Sequence, residues 1–388
     1  MKWVTIWGNA QSTVMPAPAK YAKDLTLRYP IFSPFNGNKI RITLDNYCVN
    51  EKVKIDYVTI AKGSSLSDKE DKDYKFLTFN GKREAIMDAH KAITSDECEF
   101  DLKSDEYLIV TMYLKDYTNL TGGVDITGPL SKGFFAYGNQ GLNQSFDINT
   151  SKSISWVYFL ANIDLYTDDS NKSIICFGDS ITSQAWPDEM LLSLRANNVN
   201  NISIVRKAVS GTRILRQYEC ITYQSYGLKG ENRFMHEVSS VSGATCVIVQ
   251  HGINDIIHPV GEDINIFRPM SDLPTKDELI EGIEYYKACA KALNLDFMVG
   301  TLLPIYNWRT YAPFRETLKN EFNEELRKNY NVIDFEREIG DFKDGIWYFK
   351  DGCDSGDHLH PSKSAYKMMG ILASKSIKQW CKCFHEKM

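Results

Sequence analysis

Cys176-Phe-Gly-Asp-Ser-Ile-Thr-Ser183 closes a short apolar run with three turn residues. The run, 173–177, is short and apolar, as expected of a buried strand. Gly178-Asp179-Ser180 then ends it abruptly. Gly, Asp and Ser are also the ordinary material of a strand-to-helix turn, so two readings of Ser180 stay open. It is a helix N-cap, or a nucleophile displayed where a buried strand ends.

The surrounding rhythm sets the architecture. Residues 167–172 are polar and read as a linker. Beyond them, apolar runs at 174–177, 202–205, 246–250, 297–303 and 332–335 alternate with helical stretches at 187–196, 275–292, 314–328 and 362–382. Pro187 suits a first helical turn, and Thr275-Lys-Asp-Glu278 is a capping-box pattern. This alternation predicts an α/β domain with a parallel sheet covered on both faces, its site beyond the carboxyl ends of the strands. The first 165 residues differ. Alternating or β-branched runs at 39–45, 53–60, 108–114 and 153–160 lie between turn clusters such as Asn36-Gly-Asn38, Asn80-Gly81 and Thr121-Gly-Gly123. They predict an antiparallel β-sandwich. The expected division is residues 1–168 and 169–388.

Composition narrows the function. The chain has 388 residues, 43% apolar and 24% charged, with a net charge of −5. That charge offers no basic footprint for nucleic acid and no polybasic anchor for a membrane surface. No run approaches the roughly 20 apolar residues of a membrane span. Nine cysteines spread from Cys48 to Cys383 form no disulfide framework and read as reduced thiols. Cys381-Lys-Cys383 with His385 falls short of a four-ligand metal site, so no metal is expected. Met1 to Ala10 lacks the apolar core of a signal peptide, and the chain as given reads as cytoplasmic.

Three further polar clusters follow the later apolar runs: Ala208-Val-Ser-Gly-Thr-Arg213, His251-Gly-Ile-Asn-Asp255 and Asp357-His-Leu-His-Pro361. A serine, a glycine, an asparagine and an Asp-x-x-His are thus expected on one rim. A serine hydroxyl needs an adjacent base, which His360 can supply, and Asp357 can orient that ring. The backbone N–H groups of Ser180 and Gly211 and the side-chain amide of Asn254 can donate to a developing oxyanion. The reaction calls for no cofactor. Singly, each residue has a bland reading as a cap, a turn residue or a structural histidine.

The ordered set resembles the blocks of the SGNH hydrolases, also called GDSL esterases: Gly178-Asp179-Ser180, Ser210-Gly211, Gly252-Ile-Asn254-Asp255 and Asp357-His-Leu-His360. Trp3-Val-Thr-Ile-Trp7 and Trp156-Val-Tyr-Phe-Leu160 resemble the β-rich domain that precedes the hydrolase in one bacterial branch. The resemblance implies a flavodoxin-like three-layer hydrolase domain behind a jelly-roll-like sandwich. It also implies Ser180, Asp357 and His360 as catalytic residues, with the base placed directly before Pro361 rather than at His358. His251, beside the third block, reads as a packed or rim residue. Lys207-Ala208-Val209 stands where relatives often carry Asn-x-Gly, and the loop after Ser180 is short, which points to small acyl groups.

The branch contains esterases of acetylated plant polysaccharides, which makes a carbohydrate O-acetylesterase the expectation, for example on acetylated xylo- or manno-oligosaccharides. The alternatives are a GDSL-type lipase or lysophospholipase, and a catalytically silent carbohydrate-binding protein. Trp186, Trp308, Arg309 and Trp347 are candidate substrate contacts, the tryptophans having domain packing as their bland reading. The expected partner is an oligosaccharide or small-molecule ester, with no nucleic acid and no membrane. The sandwich is left to bind sugar, wall the site or mediate homo-oligomerisation.

Overall fold

The computed structural model describes every residue except 14–20, 72, 121 and 386–388, and describes no side chain at 21 or 381–385. The Cys381, Cys383 and His385 side chains, and Thr121 of the expected turn cluster, therefore lie outside the described residues.

The second half is built on five parallel strands in the order Ile202–Ala208, Lys172–Gly178, Ala244–Gln250, Asp296–Gly300 and Val332–Ile333. Its helices are α1 (Ser180–Ser183), α2 (Trp186–Ala196), α3 (Gly230–Ser239), α4 (Ile253–Ile257), α5 (Lys276–Ala292), α6 (Pro313–Asn329), α7 (Phe335–Ile339) and α8 (Lys363–His385). The capping box at Thr275 forms, with Glu278 returning a hydrogen bond to the cap. The strands read as continuous apolar runs because helices cover both faces of the sheet. Isoleucines, valines and phenylalanines of this sheet form one core with α2, α5, α6 and α8.

The first half is made of antiparallel sheets around a second core. The larger sheet runs Ser151–Ile154, Gly133–Tyr137, Leu25–Phe32, Tyr107–Leu114, Tyr57–Gly63 and Lys75–Phe76. A second sheet places Leu160–Thr167 between Lys2–Gly8 and Gly37–Asp45. Two expected strands are broken. The run 53–60 divides at Asp56 into Val53–Ile55 and Tyr57–Gly63, which join different sheets. The run 153–160 breaks at Ser155 and again at Phe159, a buried residue with φ +61°.

The two halves meet along the Lys2–Gly8 strand. The carbonyl of Thr5 accepts from the hydroxyls of Ser173 and Ser203 at 2.7 and 2.6 Å. Lys207, fully buried, donates to the carbonyls of Asn9 and Ala161 and to Asn162 Oδ1 at 2.9, 3.2 and 2.8 Å. Burial pushes its ammonium down to about 8. The residue that departs from the family's second block is thus committed to the interface between the halves.

Candidate active site

The Lys172–Gly178 strand delivers Ser180 to the carboxyl edge of the sheet. Gly178 is required there by packing, because a Cβ would lie 2.3 Å from the carbonyl oxygen of Gln250 on the neighbouring strand. Asp179 is the N-cap of α1, its Oδ1 accepting from the Ile181 N–H at 3.0 Å. The helix therefore begins at Ser180 itself, whose N–H is among the first-turn donors that have no intrahelical acceptor. The Asp179 carboxyl is fully buried, and burial pushes it up to about 7.

The loop ahead of α8 brings the base. Ser180 Oγ lies 2.8 Å from His360 Nε2, and His360 Nδ1 lies 2.6 Å from Asp357 Oδ2. The other Asp357 oxygen accepts from the N–H groups of Leu359 and His360 at 3.0 and 2.8 Å. Burial pushes the Asp357 carboxyl up, but these hydrogen bonds and the His360 ring outweigh it and hold the group at about 2. His358, the rival imidazole, instead pairs through Nδ1 with Asp354 Oδ2 at 2.6 Å.

The other candidate donors come from the two strands flanking Ser180. Gly211 follows the Ile202–Ala208 strand with φ +81°, and the ring of Tyr226 fills the place where its Cβ would project, 2.2 Å away. No other residue fits both restrictions. Asn254 sits in the first turn of α4, and its Nδ2 donates to the Thr212 carbonyl at 2.9 Å. That bond orients the amide and leaves its second N–H. Asp255 accepts from the Ile214 and Leu215 N–H groups at 2.7 and 3.0 Å, pinning the loop beyond Gly211. The Ser183 hydroxyl donates to the Ser180 carbonyl at 3.0 Å and lies 3.2 Å from Ser210 Oγ, joining the first two blocks.

His251 is a packed residue. Its ring contacts the Thr212 carbonyl at 3.2 Å and the Tyr286 hydroxyl at 3.1 Å, and burial holds it well below the usual imidazole range. The expectation for Trp186 is corrected. It opens α2 with its ring wholly inside the core against Phe335, so it touches no substrate. Trp308 is half-buried against the same core with Arg309 stacked 4.6 Å above it. Their loop is tied to the end of α4 by the Thr310 hydroxyl on the Ile257 carbonyl, 2.9 Å. Trp347 lies opposite Phe342 on a hairpin and hydrogen-bonds Glu316 through its backbone, contacts that do not bring it to Ser180.

Sequence reasoning passed over an aromatic group beside Gly211. Tyr226 stacks on His258 with centroids 5.2 Å apart, and Tyr218 and Tyr223 complete the cluster. Three tyrosines within 218–226 were its only signal. Among the described residues no group of three or more His, Cys, Asp or Glu could hold a metal ion, and no helix is long and apolar enough to cross a membrane.

The model of the GDSL-like lipase/acylhydrolase family matches residues 174–372, which span all four blocks. The chain belongs to the GDSL-like lipase/acylhydrolase family. Among solved structures it is similar to a GDSL-like lipase from Bacteroides thetaiotaomicron, at 16% identity and TM-score 0.37 over 54% of this chain and 88% of that one. A member of the lipolytic G-D-S-L family from Veillonella parvula is similar at 17% identity and TM-score 0.34, over 53% and 97% of the two chains. An acetyl xylan esterase is similar at 15% identity and TM-score 0.37, over 53% and 98%. No curated protein matches the chain. As a GDSL-family member it carries the ester-hydrolase chemistry of acylhydrolases.

Proposed function

We propose that this protein is a serine esterase that removes short acyl groups, acetyl first, from carbohydrate esters such as acetylated xylo- or manno-oligosaccharides. One observation carries the reading: the unbroken chain from Ser180 Oγ to His360 to Asp357, at 2.8 and 2.6 Å. In the first half-reaction His360 Nε2 takes the hydroxyl proton as Ser180 Oγ bonds to the ester carbonyl carbon. The carbonyl oxygen becomes an oxyanion facing the Ser180 and Gly211 N–H groups and the free N–H of Asn254. As the tetrahedral adduct collapses, the imidazolium returns that proton to the departing alcohol oxygen, leaving an acyl-serine. Water then repeats the sequence, with His360 as base, and releases the carboxylic acid and Ser180.

The preference for a short acyl group rests on what surrounds Gly211. The ring of Tyr226 lies directly on it, and the Ser183 and Ser210 hydroxyls stand beside it. Such surroundings suit a methyl group better than a long apolar chain. Acetate release across a panel of acetylated oligosaccharides, with Ser180→Ala as control, tests the proposal. A p-nitrophenyl ester series that peaks at eight carbons or more would replace it with the lipase reading. Absence of Ser180 labelling by an organophosphonate would replace it with a silent binding protein.

A further inference from the structure

A cavity of about 750 Å³ borders the loop that carries Asp357 and His360, within the size range of small-molecule sites. Gln184 and Ala185, just past α1, form one side of it. Ser355 and Pro361, which flank Asp357 and His360, form a second. The third side comes from the other half of the chain: Thr127, Gly128 and Pro129 of the sandwich.

This third side is fastened rather than loosely apposed. The Thr127 N–H donates to the Ser183 carbonyl at 3.3 Å, at the end of the helix that Ser180 begins. Asp188 Oδ2 accepts from the Leu130 N–H and the Ser131 hydroxyl, both at 2.9 Å. Asp188 Oδ1 is held by the Arg206 guanidinium at 2.6 Å, and Arg206 also donates to Ser131 Oγ at 3.2 Å. Gly128 passes so close that a Cβ there would lie 2.2 Å from Asp188 Oδ2. A fixed wall can discriminate between ligands, because the energy of ordering it has already been met in folding.

The alcohol oxygen of an ester must receive its proton from His360, so the alcohol leaves on the side of the His360 loop, away from Gly211. Residues of that loop, Asp354, Ser355 and Pro361, line the cavity, and Gly211 and Asn254 do not. Its lining mixes amide, hydroxyl and charged groups with small apolar surface, and the side chains of Thr127 and Gln184 have no hydrogen-bond partner among the described residues. Two carboxylates (Glu189, and Asp354 paired with His358) and one ammonium (Lys363) line it, which favours neither an anion nor a fatty chain. We infer that this cavity, walled by the Thr127–Gly128–Pro129 loop of the sandwich, is the binding site for the alcohol half of the substrate, a neutral, hydroxyl-rich sugar ring. The inference rests on the proposed esterase reading and adds a role for the sandwich: it sets which alcohol the serine serves.

The test compares acetates that differ only in their alcohol. Thr127→Trp places an indole from an exposed position across the cavity. The ratio of kcat/KM for an acetylated xylotriose to that for ethyl acetate should fall about tenfold or more. Gln184→Ala should lower the same ratio severalfold through KM, and it decides the matter if the tryptophan variant does not fold. An unchanged ratio in both variants overturns the inference, as does a selective loss on p-nitrophenyl octanoate, which would put the acyl chain in the cavity. If the wild type turns over ethyl acetate but no acetylated sugar, the carbohydrate reading falls on its own. The wall is then judged by 1-naphthyl acetate against ethyl acetate, and an unchanged ratio there overturns it.

Discussion

Two aspartate–histidine pairs interleave within residues 354–360, in the loop ahead of α8. Asp354 holds His358 at 2.6 Å and Asp357 holds His360 at 2.6 Å. The pair distances are identical, yet only His360 reaches Ser180. His358 has φ +65° and a side chain 45% exposed, whereas that of His360 is 23% exposed with its far nitrogen on a hydroxyl. A carboxylate at hydrogen-bond distance therefore does not mark a working histidine. The third contact does, together with where the strand before it delivers the serine.

The comparison breaks most visibly at the serine that His360 reaches and His358 does not. Ser180→Ala should lower kcat by on the order of 10⁴–10⁶, measured by acetate release, with the thermal midpoint nearly unchanged. His360→Ala should be about as severe, while His358→Ala should have little effect; comparable losses in the two would erase the distinction. Asp357→Ala should cost about 10²–10⁴ in kcat, because the ring loses its orienting partner while Ser180 keeps a nearby base. Gly211→Ala tests the opposite side of the serine. The new Cβ meets the Tyr226 ring in a left-handed backbone, so a loss of about 10²–10³ is expected from a displaced donor. A Tyr226→Ala background should restore part of it.

The smallest effect concerns pH. Folding raises the Asp179 carboxyl to about 7, so between about pH 4 and 7 the native state holds a proton that the unfolded chain has released. Stability should fall as pH rises through that window and level off above it. Asp179→Asn removes this group's contribution, and urea unfolding at pH 5 and pH 8 should show a gentler decline. Part of the slope will remain through Asp255, which burial raises to about 6. Asp357 runs the other way. Held at about 2, it supports the native state above about pH 4 and loses that support as pH falls through 2. A steeper decline in the Asp179→Asn protein would contradict the burial argument.

Much of the rim was legible because it is local. Each block sits at the carboxyl end of its own apolar run, and the residue types there are the ones acyl transfer needs. What escaped was long-range. Trp186 follows a motif serine by six positions, and nothing in its neighbours reveals that α2 turns its ring inward onto Phe335. Tyr226 lies fifteen residues beyond Gly211, carried back by a 3₁₀ turn at Ile221–Tyr226. The Thr127 loop belongs to the other half of the chain, so its place at the cavity is a product of docking. Asp56 and Phe159 broke strands that period alone would have kept whole, because a one-residue interruption is invisible to a pattern of twos.

Lys207 has a practical consequence for portability. Each acceptor of its ammonium belongs to the first half of the chain. A catalytic segment excised at residue 169 and fused elsewhere would leave that cation stranded three positions before Ser210, on the strand that presents Gly211. Anyone transplanting this hydrolase should carry the sandwich with it.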